Sequence, residues 1–282
     1  MWAPPDTARI EGAAYVTMRP VIKVCVSGVT GWVGAPLAEA VARAEDLELI
    51  SAVSRSASGQ NLALEGRSVA VFSRVTEALD DVDVLVDYTA PDAALDHALT
   101  ALERGVNVVI GASGLTGEDY DRIGAKARAK GLGVIAAGNF SLTAAMAQAA
   151  SLLVAPLLPR AEVIDYAGAS KPDVPSGTAR ELAERLAASR SNVVDRPLDE
   201  IFGPVEARGA MIDGVQVHSV RLPSFSVSTE VIFGLDHERL SIRHDADLSP
   251  DPYIAGTLLA IRRVVGRIGL TRGLDTLLLE KR

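Results

Sequence analysis

The sequence predicts an α/β protein: a Rossmann-type, doubly wound parallel sheet followed by a second α+β domain with a mostly antiparallel sheet. Three observations support this class. Short apolar runs alternate with helical stretches as far as about residue 140, as in parallel strands buried on both faces. A glycine-rich turn joins the first apolar run to the first helix. Beyond residue 200 the chain alternates apolar and polar residues, which is typical of an antiparallel sheet.

The first half of the chain predicts five buried strands, at residues 21–26, 47–53, 82–88, 106–111 and 132–137. Helices are predicted between them, including 93–104 and 117–130. Another helix follows the glycine turn and places Leu37 and Val41 on one face. Strands and helices that alternate at this spacing imply right-handed crossovers, and therefore a doubly wound sheet.

The second half has a different pattern, which predicts the other domain. It reads as helices 142–153 and 178–188, strands 161–166, 215–221, 226–233 and 240–244, a loop over 190–209 and a last helix over 254–267. We therefore expect a flexible tail over 1–18, a dinucleotide-binding domain made of 19–140 and 257–282, and a second domain over 141–256.

Composition excludes several classes of function. The 282 residues carry a formal net charge of −8 and a pI near 5.1, which argues against nucleic acid or an anionic membrane as the main partner. No apolar run approaches the roughly 18 residues of a membrane span. One cysteine is typical of a reducing compartment, and the four histidines, His97, His218, His237 and His244, are too far apart for a local metal motif. We expect a soluble, cytoplasmic protein without a metal.

Gly28, Gly31 and Gly34 form a G-x-x-G-x-x-G turn directly after a buried strand and directly before a helix. The first glycine allows a tight turn, the second lets a pyrophosphate approach the backbone, and the third permits close packing of helix on strand. The phosphates then lie at a helix N-terminus, where free N–H groups favour negative charge. This context predicts dinucleotide binding; the alternative is a purely structural turn.

The end of the second strand favours NADPH over NADH. An NAD site usually has an acid there to bind the ribose hydroxyls, but this strand ends Val53-Ser54-Arg55-Ser56. Arg55 can pair with a 2′-phosphate. If Arg55 points to solvent instead, either cofactor binds, so NADH stays possible.

Residues 171–179, with the sequence KPDVPSGTA, form the most unusual segment. Its proline and glycine shape a loop that leads into a helix. Hydroxyls and N–H groups at a helix N-terminus make a pocket for a carboxylate. Lys171 can donate a charge-assisted hydrogen bond or a proton. The alternative is a plain helix cap by Ser176 or Thr178 beside a solvated lysine.

With these motifs, the chain resembles the dihydrodipicolinate reductase family of the lysine pathway, from about Ile22 to Leu278. The resemblance is carried by the glycine turn, the strand end DYTAP at 87–91, GASG at 111–114, NFS at 139–141 and HSVR at 218–221. The most specific match is the segment 171–179, the core of the family signature.

The resemblance implies a role for each matching residue. Cofactor binding would fall to Gly28, Thr30, Gly31, Trp32, Val33, Gly34, Ser54 and Arg55 around the pyrophosphate and adenosine, and to Tyr88, Thr89, Gly111, Ser113, Asn139 and Phe140 around the nicotinamide and its ribose. Ser176, Gly177 and Thr178 would grip a substrate carboxylate, and Lys171 would bind substrate and donate the proton. The family binds NADH and NADPH and usually forms tetramers through the second-domain sheet; a dimer stays open.

The chain departs from the family in the substrate half. Ala167 and Gly168 stand where the family has its catalytic histidine pair, and Thr229 stands where another histidine is expected. An arginine expected near the substrate is missing from 248–252, and Leu222-Pro223 replaces the usual Ala-Gly. Loss of several cations predicts a changed substrate, a larger or less anionic cyclic imine or enamine acid that still receives a hydride. The alternatives are the lysine-pathway reaction itself and a non-catalytic NADPH-binding protein.

Asp165 and Tyr166 are secondary candidates for the site. They lie on one strand, where neighbouring side chains face opposite ways, so we expect at most one of them to reach the pocket.

Overall fold

The structure, a computed structural model, describes residues 20–225 and 227–280. The expected tail over 1–18 and Ser226, the first residue of one predicted strand, lie outside the described residues.

The first half of the described chain alternates strands and helices. In chain order the elements are β1 (Ile22–Ser27), α1 (Gly34–Arg43), β2 (Leu47–Val53), β3 (Asn61–Leu64), β4 (Arg67–Phe72), α2 (Val75–Ala78), β5 (Val84–Asp87), α3 (Pro91–Glu103), β6 (Asn107–Ile110), α4 (Gly117–Lys130) and β7 (Gly133–Ala136).

The second half begins with a helix and ends with one. Its elements are α5 (Leu142–Val154), β8 (Arg160–Ala167), α6 (Gly177–Ser189), β9 (Ala210–Ile212), β10 (Val215–Arg221), β11 (Val227–Gly234), β12 (Arg239–Ala246), α7 (Asp251–Val264), β13 (Gly269–Arg272) and α8 (Leu274–Leu279). Two 3-10 turns, Leu198–Glu200 and Val205–Arg208, lie in the segment that the sequence predicts as a loop.

The larger sheet confirms the predicted Rossmann-like class. Its strand order is β13-β7-β6-β5-β1-β2-β4-β3, and every neighbouring pair is parallel except β3 with β4. The central strands β5 and β7 are buried along their whole length, because apolar clusters lie on both faces. Strand β1 lies next to both β2 and β5, so the chain reverses direction across the sheet there, and ligands bind at such switch points.

The smaller sheet is mostly antiparallel, as predicted. Its order is β12-β11-β8-β10-β9, and β8 with β10 is a parallel pair. In β8 every second residue is buried, from Ala161 to Ala167, because one face packs on α6 and the other does not. This alternation separates Asp165 from Tyr166, as the sequence predicts.

The sequence prediction missed four strands, β3, β4, β9 and β13, and placed the last long helix three residues too late. Strands β3, β4 and β13 are short and partly exposed, so their apolar pattern is weak and their partner strands decide their conformation. The last long helix is Asp251–Val264 rather than 254–267, because it begins directly after Pro250 and the chain turns extended at Val265. Among the described helices, none is long and apolar enough to cross a membrane.

Candidate active site

Two neighbouring cavities open at the carboxyl ends of the parallel strands. The first, called here the nucleotide cavity, has a volume of about 600 Å³ and lies over the glycine turn and the end of β2. The second, called the junction cavity, has a volume of about 150 Å³ and lies between the first sheet and the loop that contains Lys171. Together they hold almost every residue that the sequence predicts for the site.

The glycine turn leaves the start of α1 open to an anion. Gly28 has a φ of +83°, and a Cβ at Gly34 would overlap the carbonyl oxygen of Gly28. The turn closes when the N–H of Gly31 donates to that same oxygen at 2.8 Å. No side chain caps α1 and no acid lies in its first turn, so the N–H of Gly34 can receive a pyrophosphate; the N–H of Ala35 donates to Gly31 and Pro36 has none.

Three hydroxyls form a cluster at the end of β2. Thr30 Oγ1 lies 2.9 Å from Ser54 Oγ and 3.4 Å from Ser56 Oγ, and the two serine oxygens are 3.1 Å apart. The exposed Arg55 lines the same cavity, and no carboxylate is among the described residues that line it. Hydroxyl donors and a guanidinium without a competing acid are suited to a phosphate rather than to a bare ribose.

A buried carboxylate supports the floor of the nucleotide cavity, and sequence reasoning gave it no role. Asp87 Oδ1 accepts the N–H and the hydroxyl of Thr89 at 2.9 and 2.6 Å, and Oδ2 lies 2.7 Å from His97 Nδ1. Thr89 and His97 both line the nucleotide cavity. The DYTAP strand end is the signal that could have pointed to Asp87.

Aromatic rings and small residues line one wall of the junction cavity. Tyr88 and Phe140 meet edge to face at 6.2 Å, and the Tyr88 hydroxyl lies 2.6 Å from Thr257 Oγ1. Burial raises the pKa of Tyr88, so the phenol stays neutral at physiological pH. Gly111, Ser113 and Asn139 complete this wall, as predicted from the resemblance.

In the loop 171–179, the hydroxyls of Ser176 and Thr178 both form hydrogen bonds within the protein. Ser176 Oγ donates to Asp165 at 2.7 Å and accepts the N–H of Ala179 at 3.3 Å. Thr178 Oγ1 donates to the carbonyl of Gly138 and accepts from the amide of Asn139, both at 3.1 Å. These hydroxyls already have partners within the protein, and their contact with a substrate carboxylate stays a prediction. No described residue accepts from the N–H groups of Gly177 and Thr178, which remain for a ligand.

Lys171 lines the junction cavity, where its charge is already paired. Its Nζ lies 2.8 Å from Asp173 Oδ1, while Asp173 Oδ2 is buried and has no hydrogen-bond partner among the described residues. These two are the charged side chains among the described residues that line this cavity. The net charge of the cavity lining is therefore zero.

The support of this loop comes from a buried ion pair. Asp165 accepts the N–H of Ser176 at 2.8 Å and a guanidinium N–H of Arg221 at 2.7 Å. Arg221 also donates to the carbonyl of Asp173 at 2.8 Å. Tyr166 lies on the opposite face of β8, against the ring of Phe225 at 4.9 Å. Neither Asp165 nor Tyr166 lines the junction cavity, so Asp165 positions the loop rather than reacting.

Comparisons with known proteins agree with this geometry. Residues 22–140 match the family described as dihydrodipicolinate reductase, N-terminus, and residues 138–278 match dihydrodipicolinate reductase, C-terminus. The chain belongs to the dihydrodipicolinate reductase family. It is thus an NAD(P)H-dependent oxidoreductase, and the open start of α1 and the glycine turn fit a pyridine nucleotide.

Similar proteins cover almost the whole chain. A 4-hydroxy-tetrahydrodipicolinate reductase of Listeria welshimeri is 34% identical over 263 residues, which are 91% of this chain and 100% of that protein. One from Mycolicibacterium smegmatis is 35% identical over 258 residues, with 91% and 99% covered. The solved structure of a dipicolinate-bound dihydrodipicolinate reductase from Paenisporosarcina sp. TG-14 has a TM-score of 0.70 and 28% identity, with 91% and 99% covered.

Of the two positions where the family has its histidine pair, Ala167 is buried and Gly168 is half-buried. Ala167 is completely buried, and its carbonyl accepts the N–H of Leu222 at 3.1 Å. A Cβ at Gly168 would lie 3.4 Å from the carbonyl oxygen of Phe225. Neither residue lines the junction cavity. The turn after β10 covers the Ala167 side chain, and the change of substrate that the sequence predicts stays a prediction.

A second buried carboxylate, Glu181 on α6, was missed by sequence reasoning. It accepts the N–H of Gly138, and its other oxygen accepts from Gln148 Nε2 at 3.0 Å. Arg185 lies 3.5 Å from it and pairs with Asp275 at 2.8 Å. Glu181 therefore ties the loop before Asn139 to α6, and no local sequence signal marks it because Gly138 and Gln148 are distant from it in sequence. No group of three potential metal ligands occurs in the described ranges.

Proposed function

We propose that this chain reduces a C=N or conjugated imine or enamine of a small cyclic acid that carries one carboxylate, with NADPH preferred. Its substrate thus differs from that of the lysine pathway. One observation carries the proposal: the junction cavity has one cationic side chain, Lys171, and Asp173 already neutralises it at 2.8 Å. A second substrate carboxylate would have no cation to meet.

The expected loss of affinity for a second substrate carboxylate follows from the charged hydrogen bond that it cannot form. A hydrogen bond to a charged group contributes about 1.5–3 kcal/mol, and a desolvated carboxylate without one loses that amount. This corresponds to roughly ten- to hundredfold in affinity. The N–H groups of Gly177 and Thr178 have room for one carboxylate, and the helix dipole of α6 favours that single charge.

The cofactor would be held by the glycine turn and the start of α1 at its pyrophosphate, and by Arg55 with the hydroxyls of Thr30, Ser54 and Ser56 at its 2′-phosphate. A bound nicotinamide supplies the hydride that reduces the substrate. The buried ring of Phe140 and the half-buried ring of Tyr88, which meets it edge to face, would limit the access of water to the reacting face.

Lys171 supplies the proton in this proposal. Hydride addition places an electron pair on the former imine nitrogen or on its conjugated system, and a proton from Lys171 Nζ or from water neutralises it. Asp173 holds Nζ in place and takes part in no bond change. Asp165 holds the loop 171–179 through Ser176, and Glu181 holds the loop before Asn139 through Gly138. The distance between Lys171 and the N–H groups at the start of α6 is therefore fixed.

The experiment compares two acids in one assay. Oxidation of NADPH is followed at 340 nm with 4-hydroxy-tetrahydrodipicolinate, a dicarboxylate, and with Δ1-piperideine-2-carboxylate, a monocarboxylate. We expect kcat/KM to be at least about tenfold higher for the monocarboxylate. Higher kcat/KM for the dicarboxylate overturns the proposal and leaves the lysine-pathway reaction, the activity named for the relatives. NADPH binding without turnover of either acid leaves a non-catalytic NADPH-binding protein.

Lys171→Ala tests the proton donor. We expect a large loss of kcat with little change in the binding of NADPH, since Lys171 lies outside the nucleotide cavity. Unchanged kcat would assign the proton to water. Arg196→Ala, an exposed cation that lies outside the junction cavity, is the matched control.

We also propose that residues 141–256 form the substrate-binding and oligomerisation domain and that the protein works as a cytoplasmic homotetramer or homodimer. The supporting observation is the outer face of the smaller sheet, where Ile164, Tyr166 and Ile232 are only half-buried. Light scattering on the purified protein gives the mass of the assembly, and a monomer at micromolar concentration would contradict this part.

A further inference from the structure

His97 lines the nucleotide cavity and has one ring nitrogen without a partner. It belongs to α3, and its side chain is 18% exposed. Nδ1 lies 2.7 Å from Oδ2 of the completely buried Asp87 and 3.4 Å from Ser27 Oγ. Among the described residues, no group forms a hydrogen bond with Nε2. The part of the cavity beside α3 therefore has a polar atom that the glycine turn and the hydroxyl cluster leave unused.

The Asp87 carboxylate decides which nitrogen of His97 carries the proton. A carboxylate only accepts hydrogen bonds, so at 2.7 Å the imidazole donates its Nδ1–H to Oδ2. The other oxygen, Oδ1, accepts the N–H and the hydroxyl of Thr89 at 2.9 and 2.6 Å, and these bonds hold the carboxylate in place. In the neutral ring, Nε2 then has the lone pair and is an acceptor. Because the two nitrogens point away from each other on the ring, Nε2 is directed away from Asp87.

Small side chains lie beside this acceptor on the same side of the helix. Ala90, Ala93 and His97 all line the nucleotide cavity, and their spacing of three and four residues places them on one side of the first turns of α3. The acids of these turns, Asp92 and Asp96, are exposed and do not line the cavity. The two methyl groups leave room for a flat, uncharged ring, and the nitrogen acceptor lies at its edge.

We propose that Ala90, Ala93 and His97 form the subsite for the adenine base of the cofactor and that His97 Nε2 accepts a hydrogen bond from its 6-amino group. This inference rests on the proposed function, in which the glycine turn takes the pyrophosphate and Arg55 with its hydroxyls takes the 2′-phosphate. The base is the remaining part of the same adenosine, and α3 is the remaining wall of the cavity. His97 then selects a 6-aminopurine over a 6-oxopurine, whose oxygen would face the Nε2 lone pair.

Calorimetry with NADPH and its hypoxanthine analogue tests this base selection without turnover. The two dinucleotides differ in the purine, in which oxygen replaces the 6-amino group. The titrations are made at about pH 8.5, because acid would protonate the imidazole and turn Nε2 into a donor. The wild type should bind NADPH about tenfold more tightly, the effect of one mismatched hydrogen-bonding group. His97→Ala should bring the two Kd values within about twofold, whereas the control His237→Ala, at an exposed position outside the cavity, should keep the wild-type ratio.

Asp87→Asn separates this hydrogen bond from a structural role of His97. The carboxamide has the same shape as the carboxylate: its oxygen can still accept from Thr89, and its NH2 group donates to Nδ1. Nε2 then carries the proton and becomes a donor, which suits the oxygen of hypoxanthine. We therefore expect the analogue to bind at least as tightly as NADPH to this variant. If folded Asp87→Asn keeps the wild-type preference for NADPH, the assigned tautomer is wrong and the subsite is overturned.

The outcomes distinguish the subsite from the proposed function. Equal Kd values of the two dinucleotides for the wild type overturn the subsite. Equal weakening of both by His97→Ala also overturns it, since His97 would then contact a group that they share. Arg55→Ala should weaken both equally and keep their ratio, because the 2′-phosphate is common to them. If the preference for NADPH holds but no imine is reduced, the proposed reaction fails and the subsite stands; if neither dinucleotide binds, both fail.

Discussion

Replacing Asp165 by alanine tests whether one buried ion pair holds the substrate loop. The Asp165 side chain is almost completely buried and accepts from the N–H and hydroxyl of Ser176, at 2.8 and 2.7 Å, and from Arg221 at 2.7 Å. The Arg221 side chain is also mostly buried, and its Nε already lacks a partner. Asp165→Ala therefore removes the acceptor of two Ser176 donors and the counter-charge of the guanidinium, which keeps backbone carbonyls as its acceptors.

The expected cost follows from this arrangement. Breaking a buried ion pair by removing one partner costs about 3–5 kcal/mol, because the remaining charge stays buried and uncompensated. At about 2–4 °C for each kcal/mol, the Tm should fall by roughly 6–20 °C. Asp195→Ala is the matched control, since Asp195 pairs with Arg160 at 2.8 and 3.0 Å on the surface. It should cost no more than about 1 kcal/mol.

Unfolding in urea, followed by far-ultraviolet circular dichroism, gives the free energies of unfolding for both variants. The reasoning is refuted if Asp165→Ala and the Asp195→Ala control lose the same stability. A double-mutant cycle with Arg221→Met then identifies the cause. If the uncompensated guanidinium dominates, Asp165→Ala should cost less than half as much in the Arg221→Met background.

Three further predictions concern the cofactor, the loop before Asn139 and acid stability. Arg55→Ala should raise the KM for NADPH about tenfold and that for NADH less than threefold in steady-state kinetics; equal effects would contradict a 2′-phosphate contact. Glu181→Ala should lower kcat, and Glu181→Gln should recover most of it, because the amide oxygen can still accept from the N–H of Gly138. Equal losses of kcat in the two variants would mean that the charge of Glu181, rather than this hydrogen bond, is required. Burial lowers the pKa of His244 below its ordinary value of 6.5, so the fold favours the neutral ring. Its contribution to stability is present above pH 6.5 and is lost as pH falls, because the unfolded chain binds the proton first. The Tm of the wild type should therefore fall more between pH 7.5 and 5.5 than the Tm of His244→Asn. If the Tm of both proteins falls equally over this range, His244 does not cause the loss of stability.

Local signals explain which parts of the fold were predictable. Strand β2 and helix α4 have the bounds that the sequence predicts, 47–53 and 117–130. Helix α4 is defined by a capping box at Thr116 and a left-handed Gly131, which depend on neighbouring residues alone. Strand β13 lacked such signals, because its four residues, three of them half-exposed, become a strand by pairing with β7.

The candidate site likewise has parts that local sequence predicts and parts that depend on contacts between distant residues. The glycine turn and the segment 171–179 are contiguous, so their spacing is visible in the sequence. Glu181, Tyr253 and Asp165 are not contiguous with the groups that they contact: Tyr253 meets Trp32 from 221 positions away, and Glu181 reaches Gly138 from 43. Such contacts depend on how helices pack across the two sheets.

By itself, the sequence determined the class of fold, the open helix end that receives a nucleotide, and the loop that carries Lys171, because each depends on residues within a few positions of one another. Tertiary structure decided what these parts can bind. It committed the hydroxyls of Ser176 and Thr178 to internal partners, paired Lys171 with Asp173, closed the space at Ala167 and brought Trp32 against Tyr253. The reason is physical: hydrogen bonds, charge pairs and cavity volume are set by distances between elements, which the order of residues along one element does not contain.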